Sequence, residues 1–181
     1  MINREMNFRI RQNPHNDLEG LAYYHIGNIE AKLKSGDHEG ISLDCRSAAI
    51  AIAFFNEALL NFVGLRVFKQ DWAERAPFAK KIELLSNKLK FNYDKKVEPF
   101  LTVETLRSAR NDLAHDKPVE FNAKAASNKE LAAKMRSAWG VVDDPETVLA
   151  FFEQARAFKS LLFTKAKIKW ATSLTSAFGG G

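Results

Sequence analysis

Apolar residues recur along most of this chain at helical spacings of three and four, and strand-like alternation is nearly absent. The pattern predicts a first helix from Asn16 or Asp17 to Lys34, closed by the breaker-rich loop Ser35-Gly36-Asp37-His38-Glu39-Gly40. A second begins near Ser42 and ends at Gly64, read as a C-terminal cap. Its centre, from Ser47 to Phe55, is apolar all round, which suits the middle of a bundle. A third is expected from Asp71 to Phe91, with Pro77 pointing to a start as late as Ala76. The fourth runs from Pro99 to His115 or Asp116, because Pro118 disfavours helix at Lys117. Residues 117–127 read as a loop. A short fifth helix is expected from Asn128 to Trp139, broken by Gly140. A long last helix runs from Asp144 to Trp170, opened by Asp-Asp-Pro-Glu. The sum is an all-α, up-and-down bundle of five to six helices with one long crossover loop. Residues 1–15 read as an N-terminal extension, 16–170 as the helical domain, and 171–181, ending in three glycines, as a flexible tail.

Composition changes this picture little. A length of 181 residues suits one domain with a sizeable core, and the 46% apolar and 27% charged fractions are ordinary. The richest apolar run, Ala48 to Phe55, is followed by Asn56 and Glu57 and falls well short of the roughly 20 residues a span needs. The N-terminal stretch is too polar for a signal peptide. The expectation is therefore a cytoplasmic protein with no membrane partner. Cys45 is the only cysteine, so neither an internal disulfide nor a thiolate zinc site is expected.

Charge is uneven. Residues 1–60 carry 6 Lys+Arg against 8 Asp+Glu, a balance of −2, while the remainder carries 21 against 14, a balance of +7. Lys80, Lys81, Lys88, Lys90, Lys95 and Lys96 form one cluster; Lys159, Lys165, Lys167 and Lys169 form another. Such a surface favours a polyanion such as RNA, although a lysine-rich helix face is more often simply solvated.

Candidate chemistry concentrates in Arg110-Asn111-Asp112-Leu113-Ala114-His115. At the helical angle per residue, Val103, Leu106, Ala109 and Leu113 share one face, and Arg110 falls within about 40° of its centre. Asn111 and His115, four residues apart, share the opposite face. A guanidinium at a core edge needs acceptors. Asn56 and Glu57 interrupt the apolar second helix, so one of them is expected to meet Arg110.

The stretch RNDLAHD at 110–116 resembles the signature of the HEPN family of helical domains: an Arg, a polar residue, then a His four to six positions after the Arg. Arg9 and His15 have a similar spacing, but Ile10 follows the Arg and Pro14 breaks any helix between them. The resemblance implies a helical bundle that pairs as a homodimer. In active members, two motif copies face each other across a cleft and cleave RNA without metal. Members recur as toxins and antiviral defence effectors, which brings an antitoxin or other regulatory partner into view. Others are non-catalytic modules that bind protein, RNA or nucleotide.

Metal-free cleavage of RNA uses the 2′-hydroxyl as nucleophile on the adjacent phosphate. It needs a proton acceptor near neutral pH and a positive charge where the phosphate gathers negative charge. The resemblance assigns His115 as general base or acid, Arg110 as charge stabiliser and Asn111 as positioner. Glu57, with Asn56 beside it, would hold the Arg110 rotamer. Arg107, Lys117, Lys80, Lys81 and Lys88 are weaker candidates for RNA contacts. On an ideal helix Arg110 and His115 diverge by about 140°, so paired acid and base catalysis fits a dimer that brings two His115 residues together. No cofactor or metal is expected, since no histidines show ligand spacing and there is no phosphate-binding glycine loop. His15 reads as a surface residue, His25 as partly buried, and His38 as a loop residue.

Overall fold

The computed structural model describes residues 7–115, 117, 120, 122, 124–127, 130, 131 and 140–180. Among them are five α-helices: α1 (Pro14–Ser35), α2 (Ile41–Phe68), α3 (Phe78–Leu89), α4 (Phe100–His115) and α5 (Pro145–Ala166). The fold is all-α, a helical bundle carrying one small two-stranded sheet.

Local chemistry sets the helix ends. Pro14 occupies the first turn of α1, where a missing N–H costs nothing, and Gly36 closes the helix with φ at +74°. The α2 helix runs four residues past the expected stop at Gly64. That glycine serves a close approach rather than a cap: a Cβ there would lie 2.2 Å from Cε2 of Trp72. The chain then makes a 3-10 turn, Lys69–Asp71, and α3 starts only at Phe78, directly after Pro77. Asp144 caps α5 by accepting from the Thr147 backbone N–H at 2.9 Å. Lys167, in the left-handed region at φ 54°, ends α5 short of the expected Trp170.

The α2 helix packs against α1, α3, α4 and α5. His15 meets Phe62 while Lys32 meets Asp44, so α1 runs antiparallel to α2. Arg46 meets Asp143 while Phe62 meets Phe163, so α5 runs parallel to it. Ile52, Phe55, Leu59 and Leu60 of α2 are fully buried with Ile29, Ile82, Leu106, Phe158 and Leu162. This centrality explains why α2 is apolar all round. By length and composition the segment Ile41–Asp71 is apolar enough to cross a membrane, contrary to the expectation that no such segment exists. In the bundle it is the core helix.

Of the expected crossover loop, residues 117, 120, 122, 124 and 125 have no regular structure, and Ala126 and Ser127 form a bend. The expected helix 128–139 lies outside the described residues except for Glu130 and Leu131, which are helical. The two ends of the chain differ from expectation. Where an extension and a flexible tail were anticipated, β1 (Asn7–Arg11) pairs antiparallel with β2 (Ser176–Gly180), with Arg9 opposite Phe178. Asn13 fastens the junction, donating from its backbone N–H to Thr175 Oγ1 at 3.1 Å and from Nδ2 to the Leu174 carbonyl at 2.8 Å.

Candidate active site

Arg110 lies on the last turns of α4, where that helix crosses the middle of α2. Its Nη1 donates to Glu57 Oε2 at 2.6 Å. Its Nη2 and Nε donate to Asn111 Oδ1 at 2.9 and 3.3 Å. The guanidinium carbon sits 5.3 Å from the ring centre of Phe54, one turn before Glu57 on the same face of α2. Of the five guanidinium N–H groups, one on each terminal nitrogen has no partner among the described residues. With its side chain 25% exposed, Arg110 is both held and reachable by an anion.

Of the two expected partners it is Glu57 that meets Arg110, and it serves two cations. Its Oε1 lies 3.4 Å from Nζ of Lys81 on α3. Burial by itself raises the Glu57 carboxyl, but the hydrogen bond from Arg110 and the charges of Lys81 and Arg110 outweigh it and hold the group below the usual carboxylate range. Asn56, the alternative partner, turns into the core instead. It is 1% exposed, and neither amide atom has a hydrogen-bond partner among the described residues.

Asn111 departs from the face assigned to it. The helical phase points it away from the core, yet it is half-buried and its amide oxygen takes two hydrogens of Arg110. The Asn111 side chain thus turns toward Arg110 on the core side of α4, away from the face that its phase shares with His115. His115 is the final residue of α4, exposed and without a hydrogen-bond partner among the described residues.

The weaker candidates divide. Lys81, expected at the surface, is 2% exposed and belongs to the Glu57 ion pair, because a buried ammonium needs a carboxylate. Arg107 is held by Glu104 at 2.8 Å, and Glu104 also accepts from Tyr93 Oη at 2.6 Å. Lys80 pairs with Glu83 at 2.9 Å at the surface, Lys88 lies 6.0 Å from the ring centre of Phe68, and Lys117 is exposed.

The other histidines are also redistributed. His15, read as a surface residue, is 1% exposed against Phe62 and Phe163. Burial, with Lys159 next and Arg66 adding to it against the opposing pull of Asp17, lowers its imidazole to about 4. His25 is half-buried and lies 3.3 Å from Asp44. Cys45 is buried, and that burial, with Asp143 and Asp144 nearby, pushes its thiol up to about 11. Among the described residues no group of three His, Cys, Asp or Glu side chains is placed to hold a metal ion.

Sequence reasoning missed Phe54, the aromatic plate under Arg110, and Lys81, the second cation on Glu57. The phase of α2 carried the first signal, since Phe54 and Glu57 are three residues apart. Compared with known proteins, the chain matches no family model, no curated protein and no solved structure.

Proposed function

We propose that the protein is a metal-independent endoribonuclease of the HEPN type, acting as a homodimer whose composite site takes an RNA strand. The observation that carries this reading is the Arg110 guanidinium, fixed by Glu57 and Asn111 yet keeping two N–H groups without a partner among the described residues, five residues before the exposed His115.

In this reading one His115 removes the proton from a ribose 2′-hydroxyl. The freed oxygen bonds to the adjacent phosphorus while the bond to the 5′-oxygen breaks. The partner's His115 protonates that leaving oxygen. Arg110 places those two N–H groups on the phosphate oxygens as their charge grows, and its rotamer is set in advance. Asn111 helps Glu57 to fix the guanidinium. The products are a 2′,3′-cyclic phosphate and a 5′-hydroxyl. A cell able to make such an enzyme must restrain it, which fits a toxin or defence effector with an antitoxin or regulatory partner.

A labelled RNA incubated with the protein and the chelator EDTA tests the chemistry. Fragments ending in 2′,3′-cyclic phosphate or 3′-phosphate are expected; fragments ending in 3′-hydroxyl would overturn attack by the 2′-oxygen. A second reading, a non-catalytic module that binds protein, RNA or nucleotide, has one observation in its favour: Glu57 already neutralises Arg110 at 2.6 Å. A folded dimer that binds RNA and leaves it intact in this assay favours that reading.

A further inference from the structure

The second lysine cluster has no part in the Arg110 site. Two of its members, Lys159 and Lys167, line a trough between α1 and α5. Two adjoining cavities, of about 480 and 320 Å³, share Glu19, Arg156, Lys159 and Trp170 along their walls. One end is completed by Thr164, Lys167 and Ile168; the other by Asn16, Tyr23 and Phe152.

Three features of the trough point to one kind of occupant. The first is aromatic. Trp170 is 62% exposed and Tyr23 67% exposed, although large aromatic side chains are usually mostly buried. Both stand on the wall of the trough, Tyr23 with its ring centre 6.4 Å from that of Phe152. The second is charge. From Gln154 to the end of the sequence there are five lysines and arginines and no aspartate or glutamate. The carboxylate on the floor, Glu19, is neutralised by Lys159 at 2.5 Å, which leaves Arg156 and Lys167 as the net charge of the lining. Arg156 lies 5.9 Å from the ring centre of Phe152 and pairs with Glu153 at 3.3 Å, an exposed pair one turn apart on α5. Such a pair is worth little, so a phosphate displaces it readily. The third is shape. The concavity extends past two aromatic faces and two cations, which suits a strand better than a compact molecule or a flat membrane surface.

We infer that this trough binds single-stranded RNA, with bases stacking on Trp170 and Tyr23 and phosphates meeting Arg156 and Lys167. The inference rests on the reading of the protein as one that acts on RNA, and it assigns that substrate a docking site apart from Arg110 and His115. Duplex RNA is excluded by the same chemistry, because its base faces are already stacked on one another.

The test uses the full-length chain in a His115→Ala background, so that any bound strand stays whole. The probe is a fluorescein-labelled 12-nucleotide oligouridine, and binding is read by anisotropy and by quenching of tryptophan fluorescence. Trp170→Ala is expected to weaken binding about tenfold, the loss of one base stack, with Trp170→Phe retaining most of the affinity. Removing Arg156 and Lys167 together is expected to flatten the salt dependence by about 0.7 per cation. A duplex of the same length is expected to bind far less tightly. Unchanged oligouridine affinity in both Trp170→Ala and the Arg156→Ala/Lys167→Ala double variant would overturn the trough. So would equal affinity for the duplex, or displacement of the strand by anionic lipid vesicles. Because the readout is binding in a protein that cannot cleave, failure of the nuclease reading leaves these outcomes unaltered.

Discussion

Replacing Glu57 by glutamine keeps the shape of the side chain and removes its charge. Lys81, almost wholly buried, then lacks its carboxylate, and the acceptor facing Arg110 Nη1 loses its charge. Stability is expected to fall by roughly 2–3 kcal/mol in urea titrations, since a buried ammonium is left uncompensated. Cleavage is expected to fall about tenfold through a misplaced guanidinium, with KM for RNA little changed. Glu57 also gives the fold an acid limit. Its folded-state carboxyl is held low, so the unfolded state binds the extra proton near pH 4, and stability is lost as the pH falls through the folded value. Glu57→Gln is expected to flatten that part of the pH–stability profile.

His15 acts at a higher pH. Unfolded, its imidazole takes a proton near pH 6.5; folded, it refuses one until about 4. Between those values the unfolded state holds more protons, so stability falls as the pH drops from about 6.5 to 4, by up to a few kcal/mol. His15→Leu is expected to remove this slope from thermal melts, and an unchanged slope would place its origin elsewhere. At this scale the Arg110–Glu57 contact was legible in the sequence, because a polar pair interrupting an apolar helix must find a partner. Asn111 was not, because helical phase fixes where a side chain leaves the backbone and not how its torsions bend it toward a neighbour. Lys81 was not, because a charge count treats every lysine as solvated.

Gly64→Ala tests how α2 is built. The added methyl would meet the Trp72 indole at 2.2 Å, within the backbone of a helix that cannot yield. A loss of about 2 kcal/mol is expected from overpacking, against the small gain that alanine brings to an unhindered helix. Combining it with Trp72→Leu is expected to recover part of the loss. No loss in the single variant would mean that α2 and Trp72 do not pack as described. The five helices were legible from periodicity and their capping residues, but their ends were less so. Gly64 resembles a stop signal in sequence, and only the return of Trp72 onto it gives the glycine its purpose. The terminal strands escaped notice for a similar reason. The alternation in Phe8-Arg9-Ile10-Arg11 is short, and its partner, Ser176–Gly180, lies at the far end of the chain.

The whole molecule joins a basic C-terminal two-thirds to a core helix that presents Glu57 and Phe54 to α4. Only one His115 exists per chain, so the proposed chemistry requires two chains and makes activity depend on concentration. Cleavage of total tRNA and of a long single strand, with EDTA present, measured for wild type, Arg110→Ala and His115→Ala across a dilution series, tests this most directly. The expected result is cleavage by wild type that falls off faster than linearly on dilution, with each variant slower by at least about a hundredfold. Equal cleavage by all three proteins, or none by a folded wild-type dimer, would contradict the assignment of Arg110 and His115 as the reacting groups.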